Sequence, residues 1–249
     1  MTAAAKMNRV PFYETAKGSL YKGDCINVMR DMKPESVNCI FADPPFNLGK
    51  DYRTKFIDKN SNYIEWCGEW IREGVRLLKD GGAFFLYCMP SIAVKLVHEL
   101  NQCLEFRHWI AITMKGTYPR GNKLYPAHYA LLYYSKGKPH VFNRLRTPVV
   151  TCRHCGGEIK DYGGHRKMLN PAGLNLTDFW DDTSPNRHRK YKVRPGVNEL
   201  KITIPERAVL MSTNPNDVVL DPFGGGARHT KSANRTVEGG SGLKNLTAP

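Results

Sequence analysis

The stretch Val37-Asn38-Cys39-Ile40-Phe41-Ala42-Asp43-Pro44-Pro45-Phe46-Asn47 decides the fold of this 249-residue chain. Its first six residues form a short, β-rich run that predicts a buried strand. Neither proline can donate a backbone hydrogen bond to a neighbouring strand, so the strand must end before Pro44. The carboxylate of Asp43 is therefore predicted just beyond a strand's carboxyl end, where α/β sheets collect functional groups.

Strand and helix patterns alternate on both sides of this stretch. We expect Asp80-Gly81-Gly82 to close the long helix, and Ser91 to cap the one after it. Strands separated by helices predict an α/β fold with a doubly wound, mostly parallel sheet. The expected elements, in chain order, are a strand over Gly18–Asp24, a helix through Met32, the strand Val37–Ala42, a helix over Asn62–Leu78, the strand Ala83–Cys88, a helix through Leu100, and strands over His108–Met114, Tyr129–Tyr134 and Val218–Leu220.

The region between Gly116 and about Arg194 differs from the rest of the chain. It is rich in Gly, Pro, His, Arg and Lys, and after Tyr134 no further element is predicted. We interpret residues 117–194 as a loop-rich inserted module. The core then comprises 1–116 and 195–226, followed by a tail over 227–249.

The composition points to a polyanionic partner. Lys and Arg number 37 against 23 Asp and Glu, a net charge of +14. Nucleic acid fits because each neutralised phosphate releases counterions, although ribosomal and membrane-surface proteins are also basic. No apolar run approaches the roughly 18 residues that span a bilayer. Seven cysteines, an odd number without a secretory signal, predict reduced thiols in the cytoplasm.

Asp43-Pro44-Pro45-Phe46 has two interpretations. One is a proline turn with a helix-capping aspartate. The other is catalytic, because the exocyclic amine of a base is a poor nucleophile. The Asp43 carboxylate accepts one N–H of that amine, and a backbone carbonyl fixed by the prolines accepts the other. Phe46 then offers a face on which a base extracted from the duplex stacks.

A second motif, Asp221-Pro222-Phe223-Gly224-Gly225-Gly226, follows the last predicted strand. Glycines at a strand-to-loop turn let the backbone approach a cofactor closely. The complete dinucleotide-binding fingerprint is absent, and an ordinary glycine-rich turn is the alternative.

Together the two motifs resemble those of the β-class DNA amino-methyltransferases, which carry the catalytic motif early, the cofactor motif late and the target-recognition region between them. Tyr21-Lys22-Gly23-Asp24-Cys25 and Asn198-Glu199-Leu200 resemble two further family motifs. The resemblance implies the S-adenosylmethionine-dependent methyltransferase fold, with a seven-stranded sheet. It implies the catalytic residues Asp43, Pro44, Pro45 and Phe46, and the cofactor-binding residues Asp24, Asp43, Asn198, Asp221, Phe223, Gly224 and Gly226.

The function implied by this resemblance is site-specific methylation of double-stranded DNA in restriction-modification, by a monomer or homodimer. Asp at the first catalytic position is typical of the family's adenine enzymes, whereas Ser is commoner in N4-cytosine enzymes. The methyl group is therefore expected on N6 of adenine, with N4 of cytosine as the alternative. Methylation of cytosine at carbon 5 uses a Cys nucleophile that follows Pro. The chain contains no Pro-Cys pair, so this reaction is excluded.

The chain departs from the family pattern after Gly226. Family members continue with a helix rich in Ala and Glu and then a strand ending in an acidic residue, and neither pattern occurs in 227–249. We expect this tail to be replaced or translated out of the ancestral frame. A catalytically inactive relative that only binds DNA is the resulting alternative.

The predicted inserted region contains two further candidate binding sites, a pair of cysteines and a run of basic residues. Cys152 and Cys155, followed by glycines, resemble half of a zinc ribbon, with His165 as a candidate third ligand; reduced surface thiols are the alternative. Arg187, Arg189 and Lys190 belong to a basic run that indicates either phosphate contacts or a solvated charged segment.

Overall fold

The central feature is a six-stranded sheet. In the computed structural model, the described residues are 10–49, 60–114, 121–122, 124, 126–149, 151–152, 154–158, 160, 163–183 and 200–224. In chain order, the sheet strands are β3 (Val37–Ala42), β4 (Leu78–Cys88), β5 (Glu105–Thr113), β6 (His128–Ser135), β9 (Phe179–Trp180) and β10 (Val219–Leu220).

The strands lie side by side in the order β10-β3-β4-β6-β5-β9. Strands β10, β3 and β4 are parallel to one another, and β9 is parallel to β5. Strand β6 is antiparallel to both of its neighbours, β4 and β5. Within the described residues, one strand therefore opposes five, which confirms the mostly parallel sheet.

Helices cover both faces of the sheet. On one face lie α1 (Cys25–Arg30), α2 (Tyr63–Leu77) and α3 (Pro90–Cys103), and on the other lies α4 (Thr203–Ser212). Strand β3 serves both faces, since Ile40 packs with α1–α3 and Phe41 packs with α4. Each such side chain contributes about 1.5–3 kcal/mol through burial. The doubly wound arrangement is confirmed.

The predicted end of α2 at Asp80-Gly81-Gly82 is wrong. The helix ends at Leu77, and β4 begins at Leu78. Gly81 lies inside β4 with φ +73°, and a Cβ there would lie 2.8 Å from the backbone nitrogen of His140. Gly81 thus permits an irregular backbone conformation within β4, at the point where the pairing of β3 with β4 shifts register.

The predicted cap at Ser91 is also wrong. The N-cap of α3 is Met89, and Pro90 occupies the first turn. Proline suits that position because a first-turn residue has no intrahelical partner for its N–H. The helix buries Ile92, Leu96 and Leu100 against the sheet, and Val97 on the same side is partly buried.

The first predicted strand is too long. It ends at Leu20, as β2 (Gly18–Leu20) of an antiparallel hairpin with β1 (Tyr13–Thr15). The rest of the expected Gly18–Asp24 strand leads into α1, whose N-cap is Asp24.

Residues 117–194, which were expected to form an inserted module, contribute two strands to the central sheet and also contain shorter elements. Strand β6 lies in the middle of the sheet, and β9, which was not predicted, lies at its edge. Between them, β7 (Arg146–Thr147) and β8 (Leu174–Asn175) form a two-stranded ribbon. No helix in the described part of the chain is long and apolar enough to cross a membrane.

Candidate functional site

Two neighbouring parallel strands bring the two sequence motifs together. Leu220 of β10 pairs with Ile40 of β3, and each strand is followed by its motif. Asp221 and Asp43 therefore emerge at the same edge of the sheet, although they lie far apart in sequence. Parallel strands produce this arrangement because their carboxyl ends coincide.

The Asp43 motif is held firmly at the end of β3. Pro44 is buried, whereas Asp43 and Pro45 are half-buried. The carbonyl oxygen of Pro45 accepts a hydrogen bond of 2.7 Å from the Tyr63 hydroxyl, in the first turn of α2. With both proline φ angles fixed by their rings, this bond restrains the remaining freedom of the motif.

Phe46 belongs to a cluster of three aromatic rings. Its ring centroid lies 6.1 Å from that of Tyr87 and 6.0 Å from that of Tyr129, and the two tyrosine rings are 5.1 Å apart. Tyr87 lies near the end of β4 and Tyr129 near the start of the antiparallel β6, so both reach the edge that carries Asp43. The three ring planes are tilted to one another by 41°, 38° and 32°, and together they form an aromatic wall of the kind against which a planar ring packs.

Asn47 closes the chain segment that follows the motif. Its side-chain amide nitrogen donates to the carbonyl of Asn60 over 3.0 Å, and its side-chain oxygen accepts from the Asn60 backbone N–H over 2.7 Å. Asn47 has φ +55°, a conformation that Asn adopts more readily than most residues. The two ends of the segment between these residues are thus fixed to each other.

The Asp221 loop is anchored from both sides. Asp221 Oδ1 accepts a 2.9 Å hydrogen bond from the backbone N–H of Phe223. A Cβ at Gly224 would lie 3.3 Å from Asp221 Oδ2, so glycine leaves the carboxylate uncrowded. The Phe223 ring packs edge-on against Trp66 and Trp70 of α2, at centroid distances of 5.9 and 5.1 Å.

Asp24 is exposed and caps α1. Its Oδ1 accepts a 3.1 Å hydrogen bond from the backbone N–H of Asn27. Burial, and then the nearby Asp24 charge, raise the pKa of the Cys25 thiol to about 11. Burial, the neighbouring Cys67 and Asp43 also raise the pKa of Cys88. These thiols stay protonated near neutral pH, so their part here is packing, not nucleophilic attack.

Cys152 and Cys155 lie in a tight turn closed by the bridge between Thr151 and Glu158. Backbone hydrogen bonds from Cys155 and His154, and a hydrogen bond with the Cys155 thiol, lower the pKa of the Cys152 thiol. In the described residues, no group of three or more metal-ligating side chains is assembled. The two thiols thus share one turn, and zinc binding by them stays a prediction.

Several of the predicted site residues fall outside the part of the chain that the structure describes. Asn198, Gly226, Arg187, Arg189 and Lys190, and the tail over 227–249, lie outside the described residues, as does the side chain of His165.

Sequence reasoning missed the roles of Tyr63, Tyr87 and Tyr129. Tyr63 carried a signal only as an apolar residue at helical spacing. Tyr87 precedes the end of a predicted strand, and Tyr129 begins another, so their positions at strand ends were a usable signal. Their contact with Phe46 depends on β4 and β6 being antiparallel neighbours, which no local pattern reveals.

Comparison with known proteins gives consistent results. The sequence model of the DNA methylase family, of the N6 and N4 type, matches residues 37–234. The type II methyltransferase M.BamHI of Bacillus amyloliquefaciens is 50% identical over 218 residues, which cover 86% of this chain and 51% of M.BamHI. The chain thus spans about half the length of this relative.

Solved structures share the fold. The PvuII DNA methyltransferase (cytosine-N4-specific) superposes with a TM-score of 0.64 at 17% identity, over 93% of this chain and 83% of its own. The M1.HpyAVI–SAM complex gives a TM-score of 0.53 at 20% identity, over 87% and 88%. With most of its length matched and the family's two motifs meeting at one sheet edge, this chain belongs to the DNA methylase family of N6 and N4 type.

Proposed function

We propose that this chain transfers a methyl group from S-adenosylmethionine to the exocyclic amine of a flipped base in double-stranded DNA. The observation that carries the proposal is the convergence of the Asp43 and Asp221 motifs beyond the paired strands β3 and β10. One motif offers hydrogen-bond acceptors and an aromatic wall, and the other offers a glycine-bearing loop. Methyl transfer needs an acceptor and a donor side by side.

The acceptor side consists of Asp43, Pro44 and the aromatic cluster. The Asp43 carboxylate accepts one amine N–H, which raises the electron density on the nitrogen. The Pro45 carbonyl is engaged by Tyr63, so we assign the second acceptor to the Pro44 carbonyl. Phe46 holds the base by stacking, with Tyr87 and Tyr129 behind it.

The donor side consists of the Asp221 loop and the N-terminus of α1. Asp221, Phe223 and Gly224 are the proposed cofactor contacts of this loop, and the absence of a side chain at Gly224 leaves the Asp221 carboxylate uncrowded. Asp24, Asn198 and Gly226 complete the proposed contacts. When bound, S-adenosylmethionine would supply a methyl group on a positively charged sulfur. The base amine nitrogen would form the new bond to that methyl carbon as the carbon–sulfur bond breaks and the neutral thioether leaves, and the Asp43 carboxylate is the adjacent acceptor for the proton that the amine then loses.

The proposed setting is restriction-modification in the cytoplasm, by analogy with the type II methyltransferase M.BamHI. The net charge of +14 suits a DNA partner. N6 of adenine is the proposed position, on the Asp43 argument, and N4 of cytosine presents the same amine chemistry. We propose a monomer or homodimer.

Labelled methyl transfer to unmethylated plasmid DNA tests the proposal. The unmodified chain should label DNA, Asp43→Ala should lose the activity, and Asp80→Ala, an exposed aspartate within β4, should keep it. Mass spectrometry of the nucleosides separates N6-methyladenine from N4-methylcytosine. DNA binding without labelled product would support the alternative of an inactive relative.

A further inference from the structure

The first turns of α2 contact both halves of the proposed active site. The Tyr63 hydroxyl is bound to the Pro45 carbonyl of the catalytic motif, and the Trp66 ring lies 5.9 Å from Phe223 of the cofactor loop. Residues three apart on a helix share a face, and the Tyr63 and Trp66 rings are themselves 5.7 Å apart. One helical face therefore joins two motifs that no local sequence connects.

We infer that this face of α2 sets the spacing between methyl acceptor and methyl donor, with Tyr63 positioning the acceptor motif and Trp66 positioning the donor loop. The inference rests on the proposed function. Tyr63 and Trp66 act through Pro45 and Phe223, so they are positioning residues and touch no reacting atom.

The Tyr63 contact is suited to this role. Tyr63 as a whole is 6% exposed, so the hydrogen bond is shielded from competing water. The bond fixes the peptide plane between Pro45 and Phe46, and hence the direction in which Phe46 leaves the motif. A displacement of about 1 Å at a reacting centre lowers a rate by about 100-fold.

A second link ties the motif to the same helix. Asn47 follows Phe46 and is fixed to Asn60 by two hydrogen bonds, and Asn60 Oδ1 accepts from the backbone N–H of Asn62, the N-cap of α2. The motif is thus joined to the start of α2 at Pro45 and again at Asn47. Two attachments restrain rotation as well as separation.

Two conservative variants with matched controls test the inference. Tyr63→Phe removes one buried hydroxyl and keeps the ring, and Tyr134→Phe is its control, because that buried tyrosine hydroxyl donates to Asn101 on α3. Trp66→Leu is compared with Trp109→Leu, a partly buried tryptophan on β5. Each variant is assayed for kcat, KM, melting temperature and calorimetric binding of S-adenosylmethionine.

We expect Tyr63→Phe to lower kcat by about 10- to 100-fold, while its cofactor affinity and melting temperature match those of Tyr134→Phe. We expect Trp66→Leu to weaken cofactor binding by about tenfold, and Trp109→Leu to leave it unchanged. A purely structural role would lower the melting temperature without this split between kcat and binding.

Equal kcat in Tyr63→Phe and Tyr134→Phe would overturn the acceptor half of the inference, and equal cofactor affinity in the two tryptophan variants would overturn the donor half. An unmodified chain that binds cofactor but methylates no DNA contradicts the proposed function and the acceptor half, whose readout is kcat, whereas the calorimetric comparison still decides the donor half at Trp66. A chain without cofactor binding contradicts both.

Discussion

Phe46 is the residue whose surroundings bear most directly on the proposed binding of a base. Two tyrosine rings support it, and part of it remains accessible at the sheet edge. Stacking of one base on an aromatic ring contributes about 1–3 kcal/mol. We expect Phe46→Ala to lower kcat/KM for DNA by about 10- to 100-fold, while Phe106→Ala, at an exposed phenylalanine on β5, stays near the unmodified chain. Similar losses in the two variants would place the base elsewhere.

Cys152 is the residue with the chemical environment least like that of the other thiols. Its pKa is lowered, whereas burial raises that of Cys39 to about 12. The thiolate is the reactive form, so between pH 7 and 8 iodoacetamide should alkylate Cys152 faster than the exposed Cys103, and Cys39 not at all in the folded chain. Mass spectrometry of timed samples measures these rates.

The same alkylation experiment with added Zn²⁺ tests whether Cys152 and Cys155 form a zinc site. Added Zn²⁺ should slow the alkylation of Cys152 and Cys155 together and leave the Cys103 rate unchanged. If it slows none of them, the pair is simply reduced surface thiols.

At the scale of elements, one ion pair joins the sheet edge to α4. Both Arg207 terminal nitrogens donate to the carboxylate of Asp182, just after β9, and the guanidinium lies 5.2 Å from the Trp180 ring. The hydrogen bond to Arg207 lowers the pKa of Asp182. A carboxyl group whose pKa is lower in the folded than in the unfolded chain stabilises the fold at pH values above its unfolded pKa of about 3.9. The stabilisation is lost as pH falls through the folded value.

Asp182→Asn should therefore lower the free energy of unfolding at pH 7 by about 1 kcal/mol or less, since the carboxylate is half exposed. Denaturant unfolding at several pH values should show this difference shrinking below about pH 4. Asp178→Asn, at an exposed aspartate preceding β9, is the control. A difference that persists at pH 2 would mean that Asp182 acts through packing.

The helices and strands also show which parts of the fold could be predicted from the sequence. Strand β3 was predicted to the residue, because an apolar run and two prolines bound it. The boundary between α2 and β4 was missed, because Leu77 and Leu78 suit both a helix and a strand. Strand β9 is two residues long and exists through pairing with β5, so it has no periodicity to detect. Each of the two motifs is a short continuous stretch that the sequence shows directly. The contacts of Tyr63, Tyr87 and Tyr129 with the Asp43 motif depend on long-range packing, which the sequence does not show.

At the scale of the whole molecule, the positive charge predicts salt-sensitive DNA binding. Each phosphate contact contributes about 0.9 to the slope of log affinity against log salt. Neutralising Arg187, Arg189 and Lys190 together should reduce that slope by up to about 3. Neutralising the exposed residues Lys33, Arg72 and Lys95, which lie outside residues 117–194, should change it less. Equal slopes in the two triple variants would move the DNA footprint away from the basic run.

The pairing of β3 with β10 also sets an order of events during synthesis. Asn38 and Val218, which begin this pairing, are separated by 180 residues. At about 5–20 residues per second, the ribosome needs roughly 10–40 s to deliver the second after the first. Throughout that interval the nascent β3 has an unpaired edge, which is a site for aggregation. The part of the chain that carries the Asp43 motif is thus made first, before its partner strand, so the yield of folded chain should depend on translation speed and on chaperones.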